Sequence, residues 1–373
     1  MAFPSFDLQK IKAMIPEKFL PASLLSGLTK KAEVKPAGPV RVLACDYGAS
    51  KIILLEAVKD AGKITLERFD LMPRSEEPGK AAAQIKEAVQ KGYGSTRVRV
   101  SVKGQSVIVR FVQFPKMKME ELRSAITYEA ENYIPFKLDE VILDFYVLEE
   151  SVPGANGGGD MMNVLLIAVK KEEIYPLIKD FQDAELQVEL IDIDTLAAIN
   201  ALEFLYPDEF KTSVALMDLG KEVSSLSVIR DGKPRFIRDI SFGGIDIQKR
   251  LRRKLGLSLA DAEKIIGHLD EISPEALQVL KEGYETLCTD LKVTLDYYQG
   301  QTPDGKPVEK FFLAGGSGNH QLMVETFNAH LGVPVQAIEV LSRVELAPSI
   351  DKALLEKNQR LLAVALGLCL RHP

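Results

Sequence analysis

From Val40 onward, short β-branched runs alternate with turn residues, a period that predicts strands in close succession. Val40 to Asp46, Lys51 to Val58 and Ile64 to Leu71 read as a three-strand meander. Ala81 to Lys91 carries helical spacing, and Arg97 to Val102 and the alternating Val107 to Phe114 read as strands. A new unit then opens with an acidic amphipathic helix, Met119 to Tyr133, followed by Ile134-Pro135-Phe136. Strands Val141 to Glu149 and Met162 to Val169 flank the glycine-bearing loop Ser151 to Asp160. Glu172 to Ala184 is predicted helical and Val188 to Ile193 extended.

The second half repeats the theme. Val214 to Asp218, Ser224 to Arg230 and Pro234 to Ile240 form another meander, with Asp231-Gly232 as its hairpin turn. Helices are expected over Asp246 to Leu255, Leu259 to His268 and Pro274 to Tyr298. Strand Lys310 to Leu313 enters a glycine-rich turn, helix Gln321 to Leu331 leaves it, and Lys357 to Leu370 reads as a last helix. The layout predicts a duplicated α/β architecture.

Residues 1–39 stand apart. Leu8, Ile11, Ile15 and Phe19 recur at helical spacing, with Lys10, Lys12 and Lys18 mostly elsewhere on the wheel, and Pro36-Ala37-Gly38-Pro39 reads as a linker. Such a stripe suits docking on its own domain, binding a partner, or lying on an anionic membrane surface.

A chain of 373 residues, 46% apolar and 27% charged, is soluble-globular in composition and long enough for two lobes. A net charge of −6 argues against a nucleic-acid partner. Cys45, Cys288 and Cys369 lie far apart in the chain, which argues against a disulfide framework or zinc site and points to a reducing cytoplasm. No run is long and apolar enough to span a bilayer, and the N-terminus lacks the pattern of a secretory signal.

The chemistry concentrates in three turns. Asp46-Tyr47-Gly48-Ala49-Ser50 and Asp218-Leu219-Gly220-Lys221-Glu222 each end an apolar strand and lead into a second β-branched run. Either aspartate alone is a common turn residue. Two of them before matching meanders, followed by Leu313-Ala314-Gly315-Gly316-Ser317-Gly318, form the pattern of a nucleotide clamp. Glycine permits the close backbone approach that a phosphate needs, and a carboxylate at a strand end needs Mg²⁺ or donors beside it. On this reading Asp46 and Asp218 face one another across a cleft. Glu222 then has to point away from the phosphates, with Lys221 partly offsetting it. Gly243-Gly244-x-Asp246 opens a helix, where Asp246 either caps it or faces the cleft. The run Lys249 to Lys254 reads most simply as a solvated helix face.

The stretch Glu121-Leu122-Arg123 through Tyr133-Ile134-Pro135-Phe136 to Asp144-Phe145, with Asp218-Leu219-Gly220, Phe242-Gly243-Gly244 and Ala365-Leu366-Gly367, resembles a known group. It is similar to the actin/Hsp70/sugar-kinase superfamily and, within it, to the PilM family, FtsA-like components of type IV pilus assembly. The likeness covers roughly residues 40–372. It implies a duplicated actin-like (ribonuclease H-like) ATPase fold of two lobes, with an FtsA-type inserted subdomain in lobe I. The implied division is an extension at 1–39, a lobe I core of 40–112 with 188–210 and 345–373, an insert at 113–187, and lobe II at 211–344.

The resemblance further implies ATP and Mg²⁺ as cofactors. Asp46, Gly48, Ala49, Ser50 and Lys51 would form the first phosphate loop, and Asp218, Gly220, Lys221 and Ser224 the second. Gly244, Asp246 and Glu263 would lie nearby, and Gly315, Gly316 and Ser317 would line the adenosine. Asp46 and Asp218 would hold Mg²⁺ through water, while Asp218 and Asp194 would polarise water in, at most, a slow hydrolysis. The implied partner is the cytoplasmic tail of a PilN-like inner-membrane protein, which makes this chain cytoplasmic and peripheral to the inner membrane, with self-association open. The loops depart from the family at Lys51, Ile53, Lys221 and Glu222, and Lys264 adjoins Glu263 where a lysine is expected a few residues on. A scaffold of the same fold without nucleotide is the alternative, and a small-molecule kinase fits less well.

Overall fold

The computed structural model describes residues 38–371, except 76, 78, 105–106, 155–158, 268–271, 303–304 and 318–319. The amphipathic stripe of Leu8 to Phe19, and Gly318, therefore lie outside the described residues. The chain divides into two compact units. The first takes residues up to Ala197 with Val344–Ile350 and Leu368–Pro373, and the second Ala198–Arg343 with Asp351–Gly367. Residues 345–373 contribute to both units.

In the first unit, β1 (Val40–Tyr47), β2 (Lys51–Asp60) and β3 (Lys63–Pro73) form the antiparallel meander. Helix α1 (Lys80–Gln90) precedes β4 (Arg97–Val102). An inserted sheet follows, built from β5 (Val107–Pro115), α2 (Met119–Glu129), β6 (Val141–Val152) and β7 (Met161–Lys170), with β7 in the centre. Helix α3 (Lys171–Asp183) then returns the chain to β8 (Gln187–Ile193). The main sheet runs β3-β2-β1-β4-β8, with β4 parallel to β1 and β8 parallel to β4.

The insert has its own core. Leu122, Ile126, Ala130 and Ile134 fall four residues apart and pack on Phe114, Val141, Val164 and Leu166. The Tyr133-Ile134-Pro135-Phe136 stretch is therefore a packing feature: Ile134 is buried, and the Tyr133 ring meets Phe114 edge-on at 6.2 Å. Helix α2 stops at Glu129, and a single 3₁₀ turn, Ala130–Asn132, lets the chain bend into this plug. Ile134→Ala is expected to lower the insert's stability by about 2–4 kcal/mol. Hydrogen exchange checks this: protection should fall across residues 107–170 and hold in the second unit.

Helix α4 (Asp194–Leu205) carries the chain from β8 into the second unit. There β9 (Ser213–Leu219), β10 (Ser224–Arg230) and β11 (Lys233–Ile240) repeat the meander. Helices α5 (Gly244–Leu255), α6 (Leu259–Gly267) and α7 (Pro274–Gln301) precede β12 (Lys310–Gly315), which lies parallel to β9. Helix α8 (His320–Leu331) leads to β13 (Val335–Ala337), parallel to β12. The order β11-β10-β9-β12-β13 reproduces β3-β2-β1-β4-β8 strand for strand. The core packs Leu251 of α5 and Tyr284, Leu287 and Leu291 of α7 with Phe311 and Leu313 of β12.

The short β14 (Glu345–Leu346) extends the first sheet beside β3. The single final helix expected over Lys357 to Leu370 is instead α9 (Lys352–Asn358), a tight turn at Gln359–Leu362, and α10 (Ala363–Leu370). The Asn358 side-chain amide donates to the Leu354 carbonyl (2.8 Å), satisfying a terminal acceptor where α9 stops.

Candidate functional site

In the first unit the carboxyl ends of three neighbouring parallel strands meet. Register pairs Cys45 of β1 with Val100 of β4, and Val102 of β4 with Ile193 of β8. The next residues along, Asp46, Ser101, Lys103 and Asp194, are thereby brought to one edge of the sheet. Asp46 is buried, with the Ser101 hydroxyl 3.5 Å from its Oδ1. Asp194 is also buried, and its Oδ1 accepts from the Thr195 N–H (2.7 Å) and hydroxyl (3.2 Å) at the start of α4. The Lys103 ammonium lies 4.0 Å from Asp194 Oδ2.

The turn leaving β1 is held from outside. The Tyr47 hydroxyl donates to Asp180 Oδ2 of α3 (2.5 Å), and the Arg74 guanidinium stacks 4.0 Å above the Tyr47 ring. Burial, with the Asp180 bond, pushes the Tyr47 phenol well above its ordinary range. Arg74 also donates to the Gly48 carbonyl (3.2 Å) through Nη1, and to the Ser50 carbonyl (2.8 Å) through its backbone N–H. Gly48 is required for this path, because a side chain there would begin 2.9 Å from the Lys51 carbonyl oxygen. Ala49 and the Lys51 side chain are exposed.

In the second unit Asp218, half-buried at the end of β9, lies opposite Ala314 of β12. Gly315 adopts φ +88°, and a Cβ there would fall 2.5 Å from the Leu219 carbonyl and 2.6 Å from Asp218 Oδ1. Gly220 lies against the Val223 carbonyl, 2.3 Å from where its Cβ would be, and Gly244 against Ser317 at 2.7 Å. Asp218, Gly220, Lys221, Gly244, Gly315 and Ser317 thus gather at one end of this sheet, matching the strand end that carries Asp46 in the first unit.

Several donors in that cluster are engaged within the fold. The Ser224 hydroxyl donates to the Phe242 carbonyl (2.6 Å). The N–H groups of Gly244 and Ile245, at the start of α5, donate to the carbonyls of Gly220 (3.0 Å) and Lys221 (2.8 Å). Asp246 resolves toward its capping alternative: its Oδ2 accepts from the Gly243 N–H at 2.9 Å. Glu222 is exposed, as a carboxylate beside a phosphate turn needs to be. Glu263 sits exposed on α6, 3.5 Å from the Gln248 amide. At Gly316 the absent side chain makes room for Leu361, whose Cδ2 is 1.9 Å from the Cβ position.

Ser101, Lys103, Arg74 and Asp180 escape the sequence reading. Ser101 does leave a signal: Val98, Val100 and Val102 fill one face of β4, which puts Ser101 on the other. Arg74 and Asp180 leave none, since a tyrosine latch joins elements distant in sequence. Among the described residues no group of three or more His, Cys, Asp or Glu is placed to hold a metal, and no helix is long and apolar enough to cross a membrane.

A five-strand sheet of one order, built twice and ending each time in an aspartate–glycine turn, defines an actin-like ATPase fold. EutJ, an ethanolamine utilization protein from Carboxydothermus hydrogenoformans, shares it at TM-score 0.53 and 14% identity, over 98% of this chain and 97% of that one. The family model of the type IV pilus assembly protein PilM matches residues 45–373, and the chain belongs to that family. It is also similar to a chain of the PilM–PilN type IV pilus biogenesis complex, at TM-score 0.77 and 26% identity, over 90% of this chain and 99% of that chain.

Proposed function

We propose that this protein is a nucleotide-binding adaptor that recruits the cytoplasmic tail of a PilN-like inner-membrane protein for type IV pilus assembly. The observation that carries the nucleotide half of this reading is the twice-built turn: Asp46 and Asp218 at equivalent strand ends, each followed by a glycine pressed on its own backbone. The partner half rests on family membership and on the likeness to the PilM–PilN complex.

The residues present suit a magnesium nucleotide. Asp46 and Asp218 supply hard carboxylate oxygens of the kind that would hold a hydrated Mg²⁺ through water. When bound, the metal would neutralise phosphate charge. The turns at Gly48–Lys51 and Gly220–Lys221 would bind and orient the phosphates, and Gly315, Gly316 and Ser317 would face the nucleoside. Gly244, Asp246 and Ser224 would shape the second turn, and Glu263 would take part in binding from α6. Asp194 and Asp218 would orient a water in slow turnover. The chain would then work in the cytoplasm, at the membrane surface through its partner.

One observation favours the second reading, a scaffold of the same fold without nucleotide. The N–H groups that open α5, which an anion would otherwise use, are taken by the Gly220 and Lys221 carbonyls. Two measurements separate the readings. Mg-ATP at millimolar concentration is expected to raise the melting temperature, and fluorescence anisotropy should report binding of a PilN-type cytoplasmic peptide. Peptide binding with no thermal response to ATP selects the scaffold, and absence of peptide binding removes the adaptor role.

A further inference from the structure

We propose that Lys103 is a built-in counter-cation of the first turn, letting the protein hold a nucleotide's phosphates with little help from Mg²⁺. This rests on the reading that the turn receives a nucleotide, and assigns part of the metal's usual work to a side chain.

Ser101 and Lys103 are alternate residues at the end of β4 and so share one side of the sheet. Register sets Ser101 beside Asp46 on one neighbour and Lys103 beside Asp194 on the other. The Lys103 Nζ lies 4.0 Å from Asp194 Oδ2, and 3.8 Å from the point where a side chain on Gly48 would start. Asp46 Oδ1 lies 3.9 Å from that same point. The ammonium therefore stands beside the glycine of the turn, close to the Asp194 carboxylate. Its side chain is 30% exposed against 8% for Asp194, so the acid is fixed while the cation keeps a route to an incoming anion.

The duplication makes the placement specific. In the second unit, Asp218 lies opposite Ala314, so Ala314 and Gly316 occupy the positions that Ser101 and Lys103 hold in the first. At this strand-end position the first unit has a cation and the second has none. A lysine ammonium offers three donors and a full charge to phosphate oxygens, and a divalent ion at the same carboxylates would duplicate that charge.

Calorimetric titration of the full chain with ATP, in excess Mg²⁺ and again in excess EDTA, tests this on the wild type, Lys103→Met and Lys103→Arg. Wild-type affinity is expected to change by no more than about threefold between the two conditions. Lys103→Met should lose at least about tenfold in EDTA and regain most of it in Mg²⁺, with Lys103→Arg close to wild type in both. Unchanged ligand-free melting temperatures show that the variants are folded. The proposal is overturned if the wild type loses more than about tenfold in EDTA, or if Lys103→Met matches it there. ATP binding that requires Mg²⁺ removes the proposal and leaves the nucleotide reading standing. No heat in either condition removes both.

Discussion

Replacing Arg371 with alanine is expected to lower the folding free energy by about 3–5 kcal/mol, because it strands a buried carboxylate. Arg371 and Asp192 are 1% and 2% exposed and bonded through the arginine Nε. Asp192 is the next-to-last residue of β8, two before Asp194, so the pair is close in sequence to the candidate site. Arg99 and Lys59 reinforce it by donating to main-chain carbonyls of Leu370 or Arg371, which favours cations at the end of α10. Burial pushes the Asp192 carboxyl up, while Arg371 and the Ile193 N–H pull it back. With Arg371 removed, the folded state binds that proton more tightly than the unfolded chain does. The deficit in Arg371→Ala should therefore be largest near neutral pH and shrink on acidification toward about pH 4. Urea denaturation across that range checks both claims. A pH-independent loss of under about 1 kcal/mol would mean that the pair is solvated.

The second large effect is expected at Gly315. Gly315→Ala forces an alanine to φ +88° and drives its Cβ into the Leu219 backbone and Asp218 Oδ1, each within 2.6 Å. Gly256→Ala, at φ +67° with nothing within 4 Å of its Cβ, isolates the conformational part of that penalty. Denaturation should give about 1–2 kcal/mol for Gly256→Ala and clearly more for Gly315→Ala. Only the Gly315 variant should weaken ATP binding, since only it displaces Asp218. Equal losses of stability at the two glycines would show that β12 can move aside.

Both halves of the duplicated sheet are legible in the sequence because their strands are short β-branched, largely buried runs bounded by turn residues. Arg97–Val102 and Ser224–Arg230 fall where the pattern puts them. Helix α4 is not legible: Leu196, Ala197, Ala198, Ile199, Ala201 and Leu202 are all buried, so no polar face marks a helical period. The edge strand β13 and the still shorter β14 are too brief to carry any period. At the site, the aspartate–glycine turns stand out because their residue types are constrained by geometry. Lys103 does not, since a lysine after a strand looks like any solvated end until the parallel neighbours supply Asp46 and Asp194. Asp180 is hidden for the same reason: its meaning lies in Tyr47, far along the chain.

The most direct measurement is a calorimetric titration of Mg-ATP into the wild type, Gly48→Val and Gly220→Val, each of which pushes its turn off the carbonyl it lies against. If both turns serve one ligand, a single nucleotide binds per chain and each substitution weakens it by about tenfold or more. Two nucleotides per chain, or an affinity that responds to one turn and ignores the other, would contradict that.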